Sequence, residues 1–323
     1  MLSRTAENLY WTSRYLERAD SIARLLEVGY RISLIPNTQE GYNNEWESIL
    51  ATSGTKENYL TLYKEIKKEK IEYFLLFETN NFSSVKNCIE KSRDNIKMVR
   101  TAVTLEVWNA VNTLYYRYED YVNKKYSSKE LPEIIELIKR KVNLIKGTIL
   151  NTQLLNDGFD FLILGNYFER ADFTARIIDV KYFILLPSIS FVGSQVDNFQ
   201  WSLMLRSVSS YRAFKWAYGN SEIDYIKIID FLILNSQCPR SLFFSVEKIN
   251  YHLTRLKKSY GEKTVSLTKI NTLYKRLKNT TVSEILDEGL HDFLSRFIKD
   301  ISSVYQSVEK KYFMGFNDNK NMP

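Results

Sequence analysis

The 323-residue sequence has two cysteines, five prolines, eleven glycines and two histidines, and each scarcity removes a class of structure or chemistry. Cys88 and Cys238 cannot build a disulfide framework and show no CxxC spacing, so both read as reduced, buried thiols. No Asn-Gly turn separates alternating apolar residues, and the sparse glycine and proline leave little of the punctuation that hairpins require. The longest apolar stretches, such as Tyr182 to Leu186, fall far short of the roughly 18 to 20 residues that span a bilayer. The N-terminus carries Arg4 and Glu7 at the start of an amphipathic pattern and lacks a signal peptide's apolar centre. A cytoplasmic location without membrane association is therefore expected.

Histidine chemistry is equally poorly supplied. Neither His252 nor His291 sits in HExxH or in a defensible Ser-His-Asp order. Glu288 to His291 gives one ExxH, but a di-iron bundle site needs a second and two further glutamates, so no metal is expected. GxxxxGK[ST] and GxGxxG are both absent, which leaves the chain without a recognisable nucleotide-binding loop of its own.

Basic residues outnumber acidic ones, 45 to 38, for a net charge of +7. The excess is evenly spread: residues 1 to 150 hold 23 Lys and Arg against 20 Asp and Glu, and the remainder holds 22 against 18. Clusters such as Lys64 to Lys70 and Arg255 to Lys258 are interrupted by Glu or apolar residues, as on the wet face of an amphipathic helix. No nucleic-acid partner is expected.

What the chain does have is a pattern written twice. Tyr15, Glu17, Arg18, Ala19, Asp20, Ala23, Arg24 and Val28 recur in order as Tyr167, Glu169, Arg170, Ala171, Asp172, Ala175, Arg176 and Val180. Generic helix periodicity reproduces leucines and alanines, not an ordered string of charges, so the repeat points to a duplicated helical unit. The first motif helix can start near Ser3 or Thr5 and must stop by Pro36; its counterpart begins after Asp157-Gly158 and stops at Pro187. A tryptophan segment follows each, with Trp46, Ile49, Leu50 and Tyr59 matched by Trp201, Met204, Leu205 and Tyr211. Further on, Ser92-Arg93 reaching Val99 is matched with Pro239-Arg240 reaching Val246.

Segments 56–78, 84–126, 131–152, 222–236, 241–258, 264–280 and 282–315 all place apolar residues at three- and four-residue intervals. The expected fold class is all-α. One domain over 1–323 is expected, an internally duplicated antiparallel helical bundle or array whose pseudo-twofold halves cover about 1–152 and 153–323.

On a helical wheel Trp11, Tyr15, Leu16, Ala19, Ile22, Ala23 and Leu26 form the apolar arc, with Asp20, Arg24 and Glu17 beside one edge and Arg18 on the opposite flank. Arg24 stands within reach of both Glu17 and Asp20, and Arg176 repeats this with Glu169 and Asp172. Exposed pairs of this kind contribute only about 0.3 to 0.5 kcal/mol each. Ala19 and Ala23 instead suggest a close neighbour helix that would bury the charges. Buried, they could form a satisfied structural network or a ligand or active site.

The opening Met1-Leu2-Ser3-Arg4-Thr5-Ala6-Glu7-Asn8-Leu9-Tyr10-Trp11, the following Tyr15-Leu16-Glu17-Arg18-Ala19 and the second Tyr167-Phe168-Glu169-Arg170-Ala171 resemble the alpha-E domain family, a bacterial helical family with a Glu-Arg motif. Arg93, Val99-Arg100, Trp108, Asn112 and Pro239-Arg240-Ser241 look like its further signatures. Thr12-Ser13 departs from the bulkier residue and glycine usual there. The resemblance implies a part in amide or peptide-bond formation or modification, beside a circularly permuted ATP-grasp ligase and often a transglutaminase-like peptidase. Any ATP and magnesium would be bound by that partner ligase, and the chain would need no cofactor of its own.

Arg93, Arg100 and Arg240 are candidate anion receptors, since a guanidinium's planar fork fits carboxylate or phosphate, although each could equally cap a helix or pair with Glu17 or Glu169. Trp108 and Asn112, one turn apart, could wall such a pocket or simply pack in the core. Three readings stay open. The chain is an accessory protein to a ligase, an enzyme whose clustered carboxylates act as general acid and base, or a non-catalytic interaction scaffold.

Overall fold

The structure, a computed structural model, describes residues 1–33, 43–184, 195–219 and 223–314, and among them the only regular structure is helical. In chain order come α1 (Ser3–Ser33), α2 (Asn43–Thr52), α3 (Lys56–Leu62), α4 (Lys68–Leu76), α5 (Val85–Met98), α6 (Leu105–Val122) and α7 (Leu131–Thr152). Then follow α8 (Asp157–Ile184), α9 (Gln195–Ser207), α10 (Tyr211–Tyr218), α11 (Tyr225–Ile229), α12 (Leu242–Tyr260), α13 (Val265–Asn279), α14 (Val282–Glu288) and α15 (Leu290–Val308). The helix stops expected at Pro36 and Pro187, and the end of the Tyr182 to Leu186 stretch, lie outside the described residues. No described helix is long and apolar enough to cross a membrane. Cys88 and Cys238 are both buried free thiols.

Where the periodic pattern runs on without glycine or proline, side-chain caps end helices that sequence alone would continue. The expected 84–126 segment is two helices: Thr104 adopts an extended backbone and its hydroxyl accepts from the Val107 N–H, which starts α6 afresh after a short 3₁₀ turn. The 56–78 segment breaks too, at extended Tyr63 and Lys67, where the Tyr59 hydroxyl donates to the Glu65 carbonyl and pins the connection. In the 282–315 segment, Gly289 takes φ +94° between α14 and α15, a conformation that favours glycine.

α1 lies at the centre, packed along α5, α7 and α8 and touching α2 and α9. Its apolar arc is buried as the wheel requires, with Leu16, Ala19, Ile22, Ala23 and Leu26 in the core. So are Thr12, Ser13, Glu17, Asp20, Ser21 and Arg24, because neighbours cover most of the circumference and leave Trp11, Arg14, Tyr15 and Arg18 partly exposed. Charges read as lying beside the arc thus have no solvent edge.

The packing around this centre is antiparallel on its flanks. Against α1, Ser92 of α5 meets Thr12, while on α7 Lys146 meets Glu17 and Lys139 meets Glu27. Against α8, α12 places His252 at Asp160 while Arg240, just before it, meets Thr174; α15 places His291 at Asp179 and is followed by Tyr312 at Phe161. The antiparallel expectation fails for the central pair itself. Contacts between α1 and α8 advance together, from Leu9 beside Gly158 through Tyr10 beside Gly165 to Arg14 on Glu169, so the two helices run parallel. Antiparallel neighbours on each offset the aligned dipoles.

Gly165 sets how close that pair comes. A Cβ there would lie 2.0 Å from the Tyr10 carbonyl oxygen, against backbone that cannot move aside. Gly165→Ala is therefore expected to force α1 and α8 apart and cost about 1–3 kcal/mol or more. A methyl group on Gly147 of α7 would meet nothing within 4 Å, and Gly147→Ala should instead stabilise by about 0.5–1 kcal/mol through helix propensity. Urea unfolding of the two variants checks the opposite signs.

Candidate functional site

The two Glu-Arg dipeptides meet at the α1–α8 contact and exchange partners. Arg170 donates from Nε to Glu17 Oε1 at 2.9 Å and from Nη2 to Oε2 at 3.2 Å. Arg18 donates from Nε to Glu169 Oε1 at 2.5 Å and from Nη2 to Oε2 at 2.9 Å. Each carboxylate is thus held two-pronged by the arginine of the other helix, a planar match that lysine cannot reproduce.

Further donors complete each half. Glu169 also accepts from Arg14 Nε at 2.8 Å, and Arg14 stacks over the Tyr305 ring at 4.5 Å and the Trp11 ring at 5.1 Å. Glu17 accepts from Lys146 and from Arg240 Nη1 at 2.8 Å. Asn166, with its amide oriented to satisfy the network, donates to Glu17 Oε2 at 2.7 Å and accepts from Arg170. Asp20 Oδ2 takes Arg24 Nε at 3.0 Å, Arg240 Nη2 at 3.1 Å and Lys146 at 3.5 Å. Its other oxygen, Oδ1, is buried with no hydrogen-bond partner among the described residues. Arg24 also reaches the Ser209 hydroxyl.

The two halves differ in depth and balance. Glu17 and Asp20 are fully buried, and around them stand Arg24, Lys146, Arg170 and Arg240, four cations to two carboxylates. The side chains of Lys146 and Arg240 retain 20% and 11% of their exposure, so the cluster reaches solvent on their side. Asp172 and Arg176 pair with one another at 2.7 Å, with 27% and 40% side-chain exposure, and do not join a buried cluster.

Electrostatics follow from this layout. Burial opposes ionisation of Glu17, but Arg170, Lys146 and Arg240 outweigh it and hold its carboxyl well below the usual range. Burial likewise opposes the ionised forms of Asp20 and Glu169, yet their cations bring both down to about 2. Lys146 and Arg240 are shifted the other way from the usual ion-paired cation: burial lowers both despite the pull of Glu17 and Asp20, with neighbouring guanidiniums adding to the repulsion.

The charged string read from the sequence lies at the site, but without all of its partners. Among the described carboxylates Arg24 pairs with Asp20 and does not bridge to Glu17, and Arg176 pairs with Asp172 and does not bridge to Glu169. Arg240 enters the central cluster. Arg93 and Arg100 do not: Arg93 donates to Asn112 Oδ1 at 2.8 Å and lies over Tyr115, and Arg100 lies over the Trp108 ring at 5.2 Å. Arg93–Asn112 and Arg100–Trp108 are therefore two separate pairs. Sequence reasoning misses Arg14, Lys146 and Asn166. Arg14 was findable, one turn before Arg18 on α1; Lys146, distant in sequence, gave no signal. Of the one ExxH, Glu288 pairs with Arg296 and His291 with Asp179.

The buried charges set both stability and its pH dependence. Glu17→Gln leaves Arg170, Arg240 and Lys146 facing a neutral amide and should cost about 3–5 kcal/mol in urea unfolding. The acid limb is set by carboxyls whose folded values lie below their unfolded ones near 4. Between those values the unfolded chain binds more protons, so stability is complete above about pH 5 and is lost as pH falls towards 2. Unfolding midpoints measured from pH 6 downward should show this slope, and Glu169→Gln should shallow it by about one proton.

A family model named Alpha-E, described as a predicted alpha-helical domain with a conserved ER motif, matches residues 1–313. Comparisons with curated proteins and with solved structures give no match. Glu-Arg occurs twice in this sequence, at 17–18 and 169–170, and these are the dipeptides that cross at the centre of the molecule. On that match, over nearly the whole chain, the protein belongs to the Alpha-E family.

Proposed function

We propose that the protein is an accessory component of amide or peptide-bond formation that works beside a circularly permuted ATP-grasp ligase, and that it holds the anionic end of the acyl or peptidyl substrate at Arg240 and Lys146. The charge balance around Glu17 carries this reading. Four buried or nearly buried cations share two carboxylates, so that each contacts an acid yet the cluster is left with a net +2, and positive charge not neutralised at this depth is costly. A carboxylate or phosphate entering on the exposed side would complete the neutralisation. ATP and magnesium belong to the ligase in this scheme, a transglutaminase-like peptidase is a further partner, and the site of action is cytoplasmic.

The same electrostatics weigh against a stand-alone acid-base enzyme. Carboxyls held at about 2 carry no proton to donate near neutral pH and are weak bases, and each is held by cationic donors. The Glu-Arg residues themselves then act as a staple, and the reactive contacts fall to the surplus cations.

We further read the domain as two repeats related by a pseudo-twofold axis along α1 and α8. Local geometry supports this beyond the first motif. The α2–α3 turn has Gly54 at φ +69° and the α9–α10 turn has Ser209 at φ +54°; Thr55 bonds back to Leu50 as Ser210 does to Leu205. The ring trio Tyr59, Tyr63 and Phe74 is mirrored by Phe214, Tyr218 and Phe231, with edge-on contacts of 5.2 and 5.5 Å. Tyr59 thus answers to Phe214 rather than to Tyr211. The looser match of Arg93 with Arg240 fails, since Arg93 lies within α5 while Arg240 precedes the Ser241 cap of α12.

Phosphate or a dicarboxylate should raise the melting temperature above that in chloride at equal ionic strength, and Lys146→Met should remove most of that shift while keeping the fold. Amide formation by the neighbouring ligase should rise when the wild-type chain is added and not with Lys146→Met. Equal rates with and without the chain would turn the assignment towards an interaction scaffold.

A further inference from the structure

Away from the Glu-Arg cluster, the ends of α4, α5 and α6 line an open cavity of about 660 Å³, within the range of small-molecule sites. None of the residues of the central network lines it. Its inner wall is aromatic: Phe77 is buried and lies against Tyr126 at 5.3 Å and Tyr73 at 5.8 Å, with Tyr63 and Tyr121 completing the ring faces. Tyr126 is fixed from behind, donating its hydroxyl to the buried Glu72 at 2.8 Å, and Glu72 is held in turn by Ser128.

The charged lining is one-sided. Lys70, Lys86, Lys124 and Lys125 face the cavity against Glu69 alone. Behind the wall, Glu78 accepts from Tyr63 at 3.0 Å and Glu90 pairs with Lys86 at 3.0 Å, while burial raises Glu72 towards its neutral form. Lys124 and Lys125 follow the C-terminal end of α6 and offset its partial negative charge. The start of the 14-residue α5, where Lys86 lies, adds the positive end of a second helix.

We infer that this cavity is a second ligand site, and that it takes an organic anion in which a planar ring is joined to phosphate or carboxylate. The ring stacks on the tyrosine wall, and the anionic group meets the lysines at the mouth. Mononucleotides and aromatic carboxylic acids share this chemistry. A flat ring without charge, or a charge without a ring, would use only half of the lining.

Calorimetric titration of the full chain separates these sources. The probes are ADP, 4-hydroxybenzoate, adenosine and inorganic pyrophosphate. Saturable binding is expected for ADP, for 4-hydroxybenzoate or for both, and at least about tenfold weaker binding for adenosine and pyrophosphate. Which of the first two binds more tightly identifies the source. Lys124→Ala with Lys125→Ala, at exposed positions, should weaken the ring-bearing anion about tenfold and flatten its salt dependence. Tyr73→Ala should weaken it to a similar degree while Tyr73→Phe keeps it. Absence of saturation by either ring-bearing anion up to about 5 mM, pyrophosphate binding as tightly as ADP, or affinity unchanged in these variants would overturn the assignment. Because Lys146→Met leaves this cavity intact, loss of the central anion site and loss of this one are read independently.

Discussion

Everything in this fold turns on two carboxylates that cannot be satisfied by their own helix. Glu17 looks across to Arg170 and Glu169 looks across to Arg18, and both acids are deep enough that water cannot stand in for the missing partner. A buried ion pair is weak evidence of stability in general, because desolvation consumes much of the Coulombic gain. Its value here is specificity. Only one relative placement of α1 and α8, parallel and in register, lets both forks close at once, and the backbone contact at Gly165 fixes their separation.

Around that crossing the two acids have different surroundings. Glu169 is answered by Arg14 and Arg18, braced by the Trp11 and Tyr305 rings. Glu17 shares its surroundings with Asp20 and gathers cations from α7, α8 and the approach to α12. Both clusters hold two cations for each carboxylate, which leaves a net +1 around Glu169 and +2 around the Glu17–Asp20 pair. In the proposed duplication, this difference leaves room for a structural role at one place and a binding role at the other.

Much of this was legible in the chain. The segments 131–152, 241–258 and 264–280 correspond to α7, α12 and α13 within two residues at every boundary, because their apolar periodicity is uninterrupted and caps such as Thr264 stand at their starts. The hidden breaks in 56–78 and 84–126 come from a tyrosine tether and a threonine cap, neither of which disturbs the apolar spacing. The charged string located the site, yet spacing along one helix suggested Arg24 as the bridge to Glu17. The true donors come from elsewhere because the wheel could not show that other helices cover the Glu17–Asp20 face of α1. Lys146 stands 129 residues from Glu17, a separation at which spacing carries no information.

The parallel pairing also dictates when the molecule can become itself. Arg14 and Glu169 are separated by 155 residues, and the other crossing contacts by nearly as many. During synthesis the leading helix leaves the ribosome with Arg14 and Arg18 unanswered, and Glu17 has only Lys146 of α7 to meet before the second helix follows. The early half is therefore a chain in waiting rather than a finished unit, and assembly is a late, whole-length event governed by closure of a very long loop.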